Sequence, residues 1–141
     1  MIDLRPPRAG DGSQIQTLLA QLGYDIRLDV IEARINALAH TPADRILLAA
    51  DQSQILGLIA LHWTAFLQAD RPIARITTMV VHEAARGQGI GRSLVEAAAT
   101  LATQAGCGIL ELTTALHRTD ARAFYETIGF TFSSWRMSRP L

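Results

Sequence analysis

The chain has 141 residues, of which 49% are hydrophobic, so it is long enough to bury one core of ordinary size without disulfides or metal ions. Thirteen basic and thirteen acidic residues cancel, which argues against nucleic acid and an anionic membrane surface as partners. The single cysteine, Cys107, excludes an internal disulfide and a metal site of several thiolates, so we expect a reducing, cytoplasmic setting.

Five elements are predicted in the first part of the chain, after a charged start that lacks the apolar core of an export signal. A first strand stops at Pro6 and Pro7, because proline does not continue a central strand. Asp11 or Ser13 can cap a helix whose apolar residues recur on one face up to Leu22. A second helix follows, and then two apolar runs. The runs are separated by polar residues that include Asp51, Gln52 and Ser53, which is typical of an antiparallel hairpin. The predicted ranges are 2–5, 11–22, 30–38, 46–50 and 55–63.

The second part of the chain is predicted to alternate strands and helices. A strand rich in β-branched residues precedes a long amphipathic helix, which Gly106 and Gly108 close. The strand that follows makes a strand, helix, strand unit, in which the two strands are parallel. A short helix ended by Gly129 and a last strand complete the chain. The predicted ranges are 73–81, 90–105, 109–114, 120–128 and 130–137.

This order of elements predicts an α+β fold, with a mixed sheet in one domain that covers residues 1–141. The longest charge-free stretch, residues 52–69, is only moderately apolar, so we expect it to form core strand and not a membrane span.

Three glycines, Gly87, Gly89 and Gly91, alternate just where the long helix begins. Each weakens a helix by roughly 0.5 to 1 kcal/mol relative to alanine, so their benefit lies elsewhere. Backbone N–H groups without side-chain cover, at the positive end of a helix dipole, bind anions. The loop lacks the lysine of a nucleotide-triphosphate loop, and Arg92 stands where a dinucleotide motif needs glycine. The sequence therefore predicts a site for a different phosphate-bearing ligand.

Two motifs resemble those of the GNAT superfamily of N-acetyltransferases. The loop Arg86-Gly87-Gln88-Gly89-Ile90-Gly91 has the family's arginine-x-x-glycine-x-glycine form and follows a strand that ends Met79-Val80-Val81. Residues 121–130, ARAFYETIGF, are similar to the family's late A-x-x-F-Y-x-x-x-G-F segment. The resemblance implies a mostly antiparallel central sheet flanked by helices, with one splayed pair of parallel strands, and an activity that transfers an acetyl group from acetyl-CoA to a primary amine.

The resemblance also implies which residues bind acetyl-CoA. In similar proteins the loop amides hold the pyrophosphate, and the preceding strand pairs with the amide-containing pantetheine arm. No metal is implied. The cofactor-binding positions carried over are Met79, Val80, Val81, Arg86, Gly87, Gln88, Gly89, Ile90, Gly91, Arg92 and Ser93.

Tyr125 matches the family's tyrosine that protonates the leaving CoA thiolate. A phenol has a pKa of about 10 and a thiol about 8.5, so Tyr125 is expected to act as a positioned acid or strong hydrogen-bond donor. A backbone donor near Val80 or Val81 is expected to stabilise the tetrahedral oxyanion. Without the motif, Tyr125 would be more typical of a half-buried packing aromatic beside Phe124 than of a catalytic acid.

The general base is not assigned by the sequence. Many relatives carry a glutamate on the strand before the loop, but residues 73–81 contain no carboxylate. The candidates are Glu111, Asp25, His62 and His117, although His62 is more typical of a rim or core histidine. Glu83 is expected to be solvated.

Arg118 stands where many family members have asparagine, seven residues before the tyrosine. It is expected either to contact a CoA phosphate or an acidic substrate, or to be a solvated arginine. Acceptor specificity is expected from residues 23–29 and 63–71 and from Trp135, with a small molecule or a peptide as the amine.

The missing strand carboxylate keeps one alternative open, a non-catalytic module that binds or senses acyl-CoA. Homodimerisation through the edge of the strand at residues 130–137 is a further expectation.

Overall fold

A five-stranded mixed sheet forms the centre of the computed structural model, which describes residues 1–115 and 118–141. Its strands lie side by side in chain order. The described residues also form four α-helices and one short 3₁₀ turn. The elements are β1 (Asp3–Arg5), α1 (Gly12–Gln21), α2 (Leu28–Ala39), β2 (Asp44–Asp51), β3 (Gln54–Thr64), β4 (Ile73–Val81), the 3₁₀ turn (Glu83–Ala85), α3 (Ile90–Gln104), β5 (Ile109–Leu112) and α4 (Thr119–Thr127).

The sheet is antiparallel from β1 to β4 and parallel between β4 and β5. This confirms the expected mixed, mostly antiparallel sheet with one parallel pair. In β4, Thr77 is an extra residue, because Ala60 pairs with Thr78 while Leu61 pairs with Ile76. The Thr77 hydroxyl donates a hydrogen bond to the Ala60 carbonyl at 3.3 Å.

The parallel pair splays at the same bulge. β5 pairs with β4 only from Ile73 to Ile76, so Thr77–Val81 has no β5 partner within the described residues. Because a bulge bends its strand and interrupts the ladder, the extra residue gives a local reason for the separation. The expected splay between β4 and β5 is therefore present.

Helices cover both faces of the sheet and divide the core in two. On one face, α1 and α2 bury Ile15, Leu18 and Ile31 against Leu58 and Val80. On the other face, α3 presents its apolar stripe to β3 and β4, through Ile90, Leu94, Val95 and Ala98 against Ile59, Leu61 and Ile76. No helix among residues 1–115 and 118–141 is long and apolar enough to cross a membrane.

The predicted strand at residues 130–137 is wrong, because residues 130–141 form no regular secondary structure. Apolar residues in this segment suggested a strand, but they do not alternate strictly, and Phe132 and Trp135 are exposed. Arg136 donates a hydrogen bond to the hydroxyl of Thr113, the residue that follows β5, at 3.1 Å. The homodimer stays a prediction, without a strand edge to support it.

Asp11 occupies the position before α1, but its side chain does not cap the helix. It accepts two hydrogen bonds from the Arg5 guanidinium, at 2.8 and 3.1 Å, and one from the Arg8 backbone N–H. The Arg5 hydrogen bonds lower the pKa of Asp11, against an opposing effect of burial. The carboxylate therefore ties β1 to the start of α1 instead of satisfying helix amides.

Candidate active site

The connection between β4 and α3 contains two residues in a left-handed backbone conformation. After the 3₁₀ turn, Arg86 is extended, and Gly87 and Gly89 have φ angles of +79° and +81°. A Cβ atom at either glycine would meet no other atom within 4 Å, so the backbone angle and not space requires glycine there. The two residues turn the chain so that Gly89 becomes the cap of α3.

The backbone amides of this loop have no acceptor within the described residues. The first hydrogen bond of α3 is made by Ser93, whose N–H donates to the Gly89 carbonyl at 3.1 Å. None of the N–H groups from Arg86 to Arg92 donates a hydrogen bond to another described residue. Free N–H groups at the positive end of a fifteen-residue helix form an environment suited to a phosphate group.

Gly91 serves a different purpose from the other two glycines of the motif. Its φ is not positive, but a Cβ atom there would lie 3.0 Å from Met79 Cε and 3.2 Å from Phe124 Cζ. Glycine at this position therefore lets the first turn of α3 pack closely against both β4 and α4. The three glycines, which the sequence analysis explained alike, have two separate physical reasons.

The side chains of the remaining loop residues differ in burial. Ile90 is buried in the core, whereas Gln88, Arg92 and Ser93 are at least partly exposed. The Ser93 hydroxyl donates back to the Gly89 carbonyl at 3.1 Å. Arg86 donates from Nε to the Val81 carbonyl at 3.3 Å, which connects the loop to the end of β4.

The unpaired end of β4 lies next to this loop. Val80 is buried against α1, while Met79 and Val81 lie toward α3. Because β5 does not reach Thr77–Val81, the backbone of that segment is free on its β5 side within the described part of the chain. The predicted cofactor-binding residues of the strand and of the loop are thus brought together at one end of the sheet.

Tyr125 lies on α4 in an aromatic cluster that packs toward the loop. Its ring centroid is 5.3 Å from that of Phe124 and 5.7 Å from that of Phe130, both in edge-on geometry. Burial raises the pKa of the Tyr125 phenol, and the nearby positive charge of Arg118 lowers that pKa in part. The phenol is therefore protonated at neutral pH, which is the form that donates a proton.

Two of the four candidate bases line one cavity of about 190 Å³. The cavity lies beside the paired ends of β4 and β5, and its lining residues are His62, Thr64, Phe66, Ile73, Arg75 and Glu111. Asp25 is exposed in the connection between α1 and α2, and His117 lies outside the described residues. Glu83 is exposed, as expected.

Sequence reasoning missed two residues of this cavity's surroundings. Arg75 pairs with Glu111 at 3.4 Å, and Asp44 accepts a hydrogen bond from His62 Nδ1 at 3.0 Å. Asp44, the more buried of that second pair, begins β2. The available signal was that each of these four charged or polar residues interrupts or ends an apolar strand.

The family model for the acetyltransferase (GNAT) family matches residues 14–130. Over 94 residues the chain is 36% identical to an aminoalkylphosphonate N-acetyltransferase from Salmonella typhimurium, which covers 67% of this chain and 61% of that protein. Over 67 residues the chain is 34% identical to an uncharacterized N-acetyltransferase from Bacillus subtilis, and this match covers 47% of each protein. The matched segments thus span 61% and 47% of the lengths of these two relatives.

Solved structures of other proteins have a similar fold over the whole chain. A structure described as a transcriptional regulator from Bacillus halodurans has a TM-score of 0.91 at 27% identity and covers 100% of both chains. An aminoglycoside N-acetyltransferase in complex with CoA has a TM-score of 0.87 and covers 100% of this chain and 95% of its own. At 16% identity, this second likeness shows the fold alone. The family model, which covers most of the sequence, confirms the resemblance seen in the two motifs: the chain belongs to the acetyltransferase (GNAT) family.

Proposed function

We propose that this chain is an N-acetyltransferase domain, formed by residues 1–141, that transfers an acetyl group from acetyl-CoA to a primary amine. The observation that carries the proposal is the set of free backbone amides from Arg86 to Arg92, at the start of α3 and beside the free edge of β4. An anion site next to an unpaired strand edge suits a ligand that has a pyrophosphate and an amide-containing arm.

The described residues fit such a ligand in two places. Loop amides with glycines at φ near +80° leave the approach to the N–H groups open for the pyrophosphate. The free edge at Thr77–Val81 offers N–H and C=O groups to the amides of the pantetheine arm, which would add to the sheet like a further strand. When bound, acetyl-CoA supplies a thioester, whose carbonyl carbon accepts the amine nitrogen.

The chain's own groups would assist that transfer at two points. A backbone N–H near Val80 or Val81 stabilises the oxyanion that forms when the nitrogen adds to the carbonyl carbon. Tyr125, protonated because its burial raises its pKa, gives a proton to the sulfur as the carbon–sulfur bond breaks. Solvent then restores the phenol proton.

The acceptor we propose is a small molecule or peptide with a primary amine. The matched relative from Salmonella typhimurium is named for an aminoalkylphosphonate, which is a small amine. The cavity beside β4 and β5, at about 190 Å³, is below the roughly 300 to 1,000 Å³ that is usual for drug-sized ligands. Both observations favour a compact amine group over a bulky one.

Calorimetry with acetyl-CoA, followed by a thiol-release screen against primary amines, tests the proposal. We expect saturable binding and thiol release that depends on at least one amine. Absence of binding at millimolar acetyl-CoA would overturn the function at its first step.

A non-catalytic acyl-CoA sensor is the second candidate. It is supported by the description of the Bacillus halodurans structure as a transcriptional regulator and by Arg75 in a strand where many relatives carry a glutamate. A sensor would bind acetyl-CoA in the same calorimetric experiment but release no thiol with any amine in the panel.

A further inference from the structure

Four charged or polar residues form a row across four neighbouring strands. The register pairs Asp44 of β2 with His62 of β3, His62 with Arg75 of β4, and Arg75 with Glu111 of β5. Directly paired residues share one face of a sheet, so the four side chains lie on the same side. This row is assembled from residues that are far apart in sequence.

The row lies on the α1 and α2 face of the sheet. Ile76, the next residue of β4, packs into the core under α3, and strand side chains alternate between faces. Arg75 therefore points to the opposite face. His62, Arg75 and Glu111 all line the cavity of about 190 Å³ described above.

The cavity lies next to the point where β4 and β5 stop pairing. Pairing ends at Ile76 with Leu112, one residue beyond Arg75 and Glu111. The free edge Thr77–Val81 is five residues long, or about 17 Å at 3.3 Å per residue. An extended arm that starts at the loop amides and follows this edge ends beside the row, which places the thioester of the proposed ligand next to the cavity.

The hydrogen bond from Asp44 determines which nitrogen of His62 is available. A carboxylate only accepts hydrogen bonds, so His62 Nδ1 carries a hydrogen and donates it to Asp44 Oδ1 at 3.0 Å. Nε2 of the neutral ring then has a free lone pair. Asp44 is mostly buried, with 16% of its side chain exposed, whereas His62 is 45% exposed and can exchange protons with solvent.

We propose that Asp44, His62, Arg75 and Glu111 form the acceptor-amine site, in which His62 is the general base and Asp44 is its positioning residue. This inference rests on the proposed acetyl transfer. Glu111 is the weaker choice of base, because its carboxylate is already paired with the Arg75 guanidinium at 3.4 Å. The two carboxylates and the one guanidinium of the row leave one negative charge in excess, which favours a cationic amine.

The groups named above account for every proton of the reaction. An ammonium gives one proton to His62 Nε2, and the resulting amine nitrogen bonds to the thioester carbon. As the carbon–sulfur bond breaks, the sulfur takes a proton from Tyr125, and the nitrogen releases its second proton to solvent on the way to the neutral amide. Solvent returns one proton to the phenolate, and His62 passes its proton to solvent. The sum is one amide, one thiol and one released proton.

The test compares His62→Gln, Asp44→Asn and Glu111→Gln with wild type and with a control, His40→Gln. His40 is an exposed histidine at the end of α2, and its Nδ1 bonds only the Asn36 carbonyl among the described residues. Acetyl-CoA affinity is measured first by calorimetry. Turnover is then followed by thiol release, with acetyl-CoA and the best primary amine of the panel, as a function of pH.

We expect His62→Gln to lower kcat about 100-fold and to flatten its acid limb, with acetyl-CoA affinity within twofold of wild type. The charged groups that touch the imidazole or line its cavity, among described residues, are Asp44, Arg75 and Glu111, so the other two variants separate their effects. Asp44→Asn should lower kcat about tenfold and shift that limb, and Glu111→Gln should raise KM more than it lowers kcat. His62→Ala should recover part of its kcat when imidazole is added.

Three results would overturn the inference. His62→Gln could keep kcat within threefold of wild type, or the loss of kcat could follow Glu111→Gln instead. Acetyl-CoA affinity could also fall in parallel with kcat in His62→Gln, which would indicate a structural role. A wild-type protein that fails to bind acetyl-CoA overturns the proposed function itself, and this is seen before any variant is made.

Discussion

The glycine loop and the charged row are built in opposite ways. The loop, residues 86–93, is continuous in sequence and offers backbone amides. The row takes one side chain from each of four strands and is brought together by the sheet register. A contiguous motif can be recognised in a sequence by its residue types. A row across strands depends on pairing that no local pattern specifies.

The largest expected effect is a loss of acetyl-CoA affinity when the glycine loop alone is changed. Gly89→Asp should weaken acetyl-CoA binding at least 100-fold, because it adds a negative charge where we propose the pyrophosphate binds. Gly106→Asp is a matched control at the other end of α3, since its φ of +84° and open surroundings resemble those of Gly89. Both variants should lose about 1 to 2 kcal/mol of stability from the backbone conformation. Equal acetyl-CoA affinities in the two variants, measured by calorimetry, would remove the loop from the site.

A smaller effect is expected at the aromatic cluster of α4, which approaches the glycine loop through Phe124. Tyr125→Phe should lower kcat at least tenfold, equivalent to about 1.4 kcal/mol, and leave acetyl-CoA affinity nearly unchanged. The ring packing against Phe124 and Phe130 is retained in this variant. Steady-state kinetics and calorimetry on the same preparation separate the two quantities. Turnover equal to wild type would leave Tyr125 with a packing role only.

The Arg5–Asp11 pair should affect stability without affecting either region. Asp11→Asn removes a charge whose side chain is 11% exposed and loses about 2 kcal/mol of unfolding free energy, while acetyl-CoA affinity is kept. Asp29→Asn is the comparison, because the Arg27–Asp29 pair is exposed and should contribute less than about 0.5 kcal/mol. Urea unfolding measures both. Similar losses in the two variants would contradict the assigned importance of burial.

The same pair predicts a pH dependence with a definite sign. The folded pKa of Asp11 lies below its unfolded value of about 3.9. Its contribution to stability is therefore present above pH 4 and is lost as the pH falls through the lower, folded pKa. Wild type should lose more stability than Asp11→Asn across that acidic range.

The smallest effect concerns the phenol itself. The chain has two tyrosines, so Tyr24→Phe leaves Tyr125 as the only one. Its phenolate absorbance should appear above pH 10, because burial raises the pKa, and Arg118→Met should move that transition higher still. The contribution to stability is present below pH 10 and is lost as the pH rises through the folded pKa. A transition at or below that of a free tyrosine would contradict the burial of the ring.

Much of the fold was predictable because local patterns and pairing agree. β4 matches its predicted range at both ends, since β-branched residues fill it and the loop motif marks its end. The hairpin of β2 and β3 was indicated by the polar residues Asp51, Gln52 and Ser53 between two apolar runs. In the structure, Gln52 adopts a positive φ of 55° in the turn. The strand at residues 130–137 failed because a strand also needs a partner, and apolar content alone does not provide one.

In the candidate site, too, residues in local motifs could be predicted from the sequence, whereas residues brought together by strand pairing could not. The positions of Gly87, Gly89 and Tyr125 followed from motifs, although the separate packing reason for Gly91 required the contacts to Met79 and Phe124. His62 and Glu111 were only two of four candidate bases in the sequence. Their common cavity depends on a bulge at Thr77 and on the strand register, which composition and spacing do not report.

The central claim is that the amides from Arg86 to Arg92 bind the pyrophosphate of acetyl-CoA. The most direct measurement is a ¹⁵N–¹H correlation spectrum recorded during titration with acetyl-CoA. We predict that the amide signals of residues 86–92 show the largest shifts, and that 3′-dephospho-CoA, which keeps the pyrophosphate, moves the same signals. Saturable binding that leaves those signals in place, with the largest shifts elsewhere in the chain, would contradict the claim.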